Sequence, residues 1–354
     1  MPLTSLDTLL ASSIMICLVL ASMASIFAAI QPFLKYQDSH HEVGADLSLA
    51  EYLLIDTGAP ASWGSNATES LALFGLAKEN SQMPFELDID KVTRLNKRNI
   101  YNLSFLEAFN SLNIKDKPFR IIIKPLFNVT ANLASREEDY SDITYRFNIS
   151  AKRFNFPVEA SLKCYVMIGD YVVSCSSQTS NSGEGLIEFA LPKSLSGTAL
   201  LTIFAEAEPR MLSYTVHRFA HNSVNPPGSE ERYASLSPLN YTLRVDLNSS
   251  DRILYARVFT YNYVSNLTEV ERNSVTQHFI IPRILDESPM ILVGAGLNTS
   301  SSEYFAEWVS YPQIPLDFGL GFTNKYQLAD SFSFRFLVTI NSAIYECEVI
   351  LWRS

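Results

Sequence analysis

Residues 158–177 read VEASLKCYVMIGDYVVSCSS, two apolar and aromatic runs either side of Gly169 and Asp170. Val, Ile and Tyr suit pleated strands, and Gly-Asp suits a two-residue hairpin turn. Pairing about that turn sets Cys164 opposite Cys175, and opposed Cα atoms in such a ladder stand about 4.5 to 5.5 Å apart, within reach of a disulfide. A disulfide between Cys164 and Cys175 is the expectation. A reduced core pair is the main alternative; a metal or redox pair is the functional one, but metal sites usually add a close Cys or His, and neither cysteine has one. Cys17 and Cys347 read as small buried apolar residues.

Outward from this hairpin the same texture continues. ITYRFNISA (143–151), GLIEFALP (185–192), ALLTIFAEA (199–207) and MLSYTVHRF (211–219) follow at the spacing of a sandwich, which gives a β-sandwich over 140–222. Residues 223–237 are rich in Pro, Gly, Ser and charge, bury little, and read as a linker. Beyond them LNYTLRVDL, RILYARVFTYNYV, TQHFIIP, FSFRFLVTI and AIYECEVILW describe a second β-sandwich over 238–354. The composition agrees with strands: aromatics are 12%, with 17 Tyr and 22 Phe, and charged residues only 18%.

The N-terminal part differs. No charged side chain occurs from Thr8 to Leu34, a stretch that would rise about 40 Å as a helix and exceed the roughly 30 Å hydrocarbon core of a bilayer. Residues 1–35 are expected to be a retained single-pass anchor, with a cleaved secretory signal as the alternative. The span 36–135 reads as a helical stalk and a small α+β region. Val43, Leu47, Ala50 and Leu54 fall at helical spacing, and the helix should stop at DTGAP, where Gly58 suits a C-terminal cap and Pro60 breaks the pattern. A short helix capped by Asp88 or Asp90 follows, then a helix in LSFLEAFNSL (103–112) and a strand over FRIIIKPLFNVTANL (119–133).

The tripeptide Asp56-Thr57-Gly58 resembles an aspartic protease signature. Those enzymes need two carboxylates sharing a proton. No second Asp-Ser/Thr-Gly occurs, and Asp56 ends a helical pattern, so it reads as a turn residue and no catalytic residue is expected. His217 and His221 have helical metal spacing but sit in a strand pattern, about 13 Å apart at strand rise. REEDYSD (136–142) reads as a solvated linker rather than a calcium site. Neither cofactor nor metal is expected. The formal charge of -10 has no basic block to set against it, which disfavours nucleic acid. Asn66, Asn102, Asn128, Asn148, Asn240, Asn248, Asn266 and Asn298 each begin an N-glycosylation sequon, favouring an external body.

Two resemblances bear on this reading. Pro157, Val158, Ala160, Thr179, Gly183, Gly185, Phe189, Leu191 and Pro192 resemble the recurring pattern of immunoglobulin-like and macroglobulin-like modules of surface proteins. Leu53, Leu54, Gly58, Pro60, Trp63, Gly64, then Gly75, Leu76, Ala77, Leu87, Asp88 and Lys91, resemble archaeal membrane-anchored surface proteins laid out like type IV pilins. Thr57 stands where that family has Pro. MPLTSLD lacks the basic and small residues that a prepilin peptidase recognises, so the mature chain is expected to begin at Met1 or Pro2.

The chain is thus expected to be mainly β: a transmembrane helix, a small α+β region and two Ig-like sandwiches. It is read as a cell-membrane protein with its bulk extracellular, structural or adhesive in function. A pilin-like filament or secretion-assembly subunit is the alternative, and an ectodomain enzyme the third reading. Expected partners are the lipid bilayer through residues 8–34, surface proteins or glycans, and a second copy through the N-terminal helix.

Overall fold

The computed structural model describes residues 3–112, 117–283, 287–320 and 331–352. The expected mature start at Met1 or Pro2 lies outside them. Contacts divide the chain into two compact units, Met1–Glu51 and Tyr52–Ser354. Helix α1 runs from Leu3 to Ile55. Within it Leu10–Gln31 is long and apolar enough to cross a membrane, and all of its residues are exposed. Its serines add no unmet polarity: Ser13, Ser22 and Ser25 donate to the carbonyls of Leu10, Val19 and Ala21 at 2.8 to 2.9 Å.

The second unit is mostly β. It opens with β1 (Glu86–Leu87), α2 (Ile89–Arg94), α3 (Phe105–Ser111) and β2 (Phe119–Pro125). Asp88 caps α2, accepting from the Asp90 and Lys91 amides, while Ser104 and Glu107 close a capping box on α3. The single strand expected over 119–133 is broken. Leu126 and Phe127 turn into the core, and Asn128 opens β3 (Asn128–Glu138) in a different sheet.

Strands β4 (Asp142–Arg153), β5 (Phe156–Pro157), β6 (Ser161–Ile168), β7 (Tyr171–Gln178), β8 (Glu184–Pro192), β9 (Gly197–Glu208) and β10 (Met211–His221) follow the sequence reading. One sheet holds β3, β4, β5 and β8, and in the facing one β10, β9, β6 and β7 lie side by side. Between them Ile143, Tyr145, Phe147 and Ile149 of β4 meet Leu162, Cys164, Val166 and Ile168 of β6 and Leu201 and Ile203 of β9.

The other face of β6 and β9 is buried as well. Tyr165, Met167, Leu200 and Phe204 pack on Phe259, Ile291, Val293, Ala295 and Ala306. Burial on both faces explains why YVMI and ALLTIFA are nearly unbroken apolar runs instead of alternating ones. The second layer comes from β13 (Ile253–Phe259), β17 (Met290–Leu297) and β18 (Tyr304–Tyr311), with β14 (Val264–Asn266) at the edge. A parallel bridge, Tyr304 to Gly197, joins β18 to β9. A separate sheet is ordered β11 (Ala234–Leu239), β12 (Thr242–Leu247), β16 (Thr276–Ile280) and β15 (Thr268–Arg272).

The strands beyond the linker do not form one sandwich. β19 (Leu316–Gly319), β20 (Ser331–Ile340) and β21 (Ala343–Trp352) join β2 and β1 in a five-stranded sheet, β1-β20-β21-β2-β19. Phe119 and Phe318 of this sheet, with Phe74, Trp63 and Phe105, make an aromatic core under the 52–112 region. Nor is 223–237 a free linker. β11 begins inside it, Arg218 donates to Ser229 O at 3.0 Å, and Glu307 accepts from the Glu231 and Tyr233 amides at 3.0 Å. The sequence shows polar, turn-forming residues there; the partners that pin them are Arg218 in β10 and Glu307 in β18, brought to the segment only by the tertiary fold.

Candidate functional site

Asp56 follows the last residue of α1, and its Oδ1 accepts from the Gly58 amide at 2.7 Å. The turn is held from α2. Lys91, almost wholly buried, donates to Thr57 O at 2.8 Å and Ala77 O at 2.7 Å. The Arg94 guanidinium lies 5.6 Å from the Trp63 ring centroid, and Trp63 Nε1 donates to Gly75 O at 3.1 Å. Trp63 packs on Phe74 at 5.8 Å. Asp56 therefore serves a backbone turn, and the motif residues Trp63, Gly64 and Lys91 are its scaffolding.

A second carboxylate in this region carries more electrostatic interest. Asp90 is 5% exposed and accepts from Tyr311 Oη at 2.6 Å and the Asn240 amide at 2.7 Å, tying α2 to β18 and the β11–β12 turn. Burial pushes its pKa up to about 6, against the hydrogen bonds that favour the carboxylate. A raised carboxylate pKa means that the folded state binds the extra proton between the unfolded value and about 6, so this group's contribution to stability falls as pH rises through that window. Asp90→Asn keeps an acceptor for both donors. Relative to wild type it should gain on the order of 2 to 3 kcal/mol of stability between pH 4 and pH 7. Urea titrations at both pH values check this, and a difference that does not change with pH would refute it.

Cys164 and Cys175 lie directly opposite each other, in the register expected from the turn. Both are thiols in this structure, with a hydrogen bond between them. That bond, and then burial, raises the Cys164 pKa, while accepting it lowers that of Cys175. Oxidation to a disulfide would close a loop of about 10 residues and stabilise the fold by about 2 to 3 kcal/mol. Protein kept under oxidising conditions should lose that increment on reduction, and Cys164→Ser should lose the redox dependence altogether. Equal denaturation midpoints with and without reductant would remove the strut.

His217 and His221 share a face of β10 with Phe219 between them. His221 is fully buried, 2.9 Å from both Pro192 O and Tyr145 Oη. Since a carbonyl only accepts, Nε2 carries the proton and Nδ1 accepts from the tyrosine. His217 packs edge-on against Phe147 at 5.3 Å. Burial lowers both histidine pKa values; His221 is a core residue and His217 is half-buried. Among the described residues no cluster of three or more His, Cys, Asp or Glu is placed to hold a metal.

A cleft of about 700 Å³ lies where β3, β10 and β18 come together. Asn128, Val129 and Thr130 line one wall, Tyr214 and Val216 another, and Trp308 with Glu307 a third. The 228–233 loop supplies Glu230 and Glu231, with Glu230 paired to Arg98 at 2.7 Å. Glu307 is 2% exposed and pairs with Arg218 at 2.7 Å, so its charge is compensated where water is excluded. No motif announces this site. Its residues come from several strands and loops that only the tertiary fold brings together.

The sequons divide by environment. Asn66 and Asn298 are half-buried; Asn66 Oδ1 accepts from Thr68, and Asn298 donates to Tyr233 Oη. Asn240 and Asn248 are exposed, but their amides bond Arg283 and Glu231 O. Asn102, Asn128, Asn148 and Asn266 are exposed.

No protein-family model and no curated protein matches the chain. Among solved structures, a marsupial T cell receptor aligns over 52% of this chain and 96% of its own, at 8% identity and a TM-score of 0.19. A likeness of that size is too slight to carry fold or function.

Proposed function

We propose that this protein is a single-pass membrane-anchored surface protein, with helix α1 as the tether and an external β body in a structural or adhesive role. The observation that carries it is Leu10–Gln31, an apolar helix with every residue exposed, which in water would leave a large unpaid hydrophobic surface. The eight sequons and the Ig-like residue pattern of 157–192 support an external body. Asp56 in this reading is a turn residue and the protein is not an enzyme. Its partners are the bilayer through residues 8–34 and proteins or glycans at the cell surface.

Alkaline carbonate washing of membranes should leave the chain in the pellet, and protease added to intact cells should degrade the β body. Recovery in the wash, or a body protected until lysis, would sink this reading. A pilin-like subunit is the second reading, favoured by one continuous helix from Leu3 to Ile55. It requires a processed N-terminus and recovery in sheared filaments, whereas the tether keeps its start at Met1 or Pro2 and stays with the membrane.

A further inference from the structure

We infer that Asn128 is a glycosylated residue and that its sugar occupies the cleft between β3, β10 and β18. The inference rests on the external location proposed above. All three residues of this sequon, Asn128, Val129 and Thr130, line the cleft. Asn128 and Thr130 are exposed, Val129 is buried, and the Asn128 amide makes no hydrogen bond among the described residues. At about 700 Å³ the cleft falls inside the range of small-ligand sites, roughly 300 to 1,000 Å³.

Its lining also suits a saccharide. The half-buried indole of Trp308 and the ring of Tyr214 offer apolar surface to the C–H face of a pyranose, while the Thr130 hydroxyl and the Glu230 carboxylate offer acceptors to its hydroxyl groups. A sugar attached at the rim meets these groups without the translational and rotational cost of a free ligand. Asn102, Asn148 and Asn266 are exposed like Asn128 but do not line this cleft.

The modification balances with an oligosaccharide carried on a lipid phosphate or pyrophosphate as donor. Asn128 Nδ2 forms a bond to the anomeric carbon, that carbon's bond to the phosphate oxygen breaks, and the lipid phosphate leaves with the electron pair. One amide proton goes to base.

The test uses full-length protein from its own cells. Glycopeptide mass spectrometry should find sugar on Asn128. Amide exchange at 214–216 and 308–310 should be several-fold slower in wild type than in Asn128→Gln or Thr130→Val; the second removes the sequon while keeping the asparagine. Asn148→Gln should leave exchange in those segments unchanged. Sugar on any other sequon with Asn128 bare overturns the inference and leaves the surface-protein reading standing. Sugar on Asn128 with no change in exchange between wild type and both variants also overturns it, since the sugar then lies outside the cleft. Sugar on no sequon overturns it and removes one support of the external location, which the protease experiment decides separately.

Discussion

Gly58→Val is expected to destabilise the second unit by about 3 to 5 kcal/mol, because it combines a β-branched residue in the left-handed region with a backbone collision. Gly58 has φ +71°, and a Cβ there would stand 2.5 Å from Leu73 O and 2.9 Å from Trp63 Nε1. Neither can move freely. Leu73 O accepts from the Ala59 amide, and Trp63 is buried between Phe74 and the cations of α2. Asp56→Asn is the control: it keeps the oxygen that accepts from Gly58 and removes a negative charge from a helix C-terminus, so it should be neutral or slightly stabilising. Chemical denaturation of the two variants compares them directly. A proteolytic activity abolished by Asp56→Asn alone would overturn the turn reading.

Gly197→Ala should cost about 2 to 4 kcal/mol for a different reason, since it strikes the joint between the two layers. At φ +132° an added Cβ would lie 2.5 Å from Tyr304 N and closer still to its carbonyl oxygen. The Tyr304 amide donates to Ser196 O at 2.8 Å, so the strands cannot separate without losing that bond. Faster amide exchange at Tyr304 should accompany the lower denaturation midpoint. A midpoint within error of wild type would mean that β9 and β18 are not held in the register described.

Several features were legible because their causes are local. The Gly169-Asp170 turn fixes the register that sets Cys164 opposite Cys175, and turn geometry needs only a few residues. An aspartate cap on α2, Asp88 or Asp90, the helix stopping before Asp56, and the strand nature of the His217 and His221 segment follow from the same short-range rules, and the structure chooses Asp88. Strand partnership is not legible where causes are distant. Alternation tells a strand which side chains share a face but not which strand lies beside it, so nothing in FSFRFLVTI and AIYECEVILW shows that the first pairs with β1 and the second with β2. The MILVGAGL and YFAEWVSY segments carry no strand signal in the sequence, because burial on both faces or at mixed depth erases the period-two alternation.

By itself, then, the sequence determined a chain rich in strands behind one apolar helix, because hydrophobic run length and period-two alternation are properties of neighbouring residues. The tertiary structure alone decided that β6 and β9 are covered on both faces, that the last two strands close a sheet with β2, and that Asn128, Tyr214, Glu230 and Trp308 border one cleft. Those outcomes depend on which apolar faces bury each other most completely, a choice made between segments as distant in sequence as Phe119 and Leu351 and written in no single stretch of them.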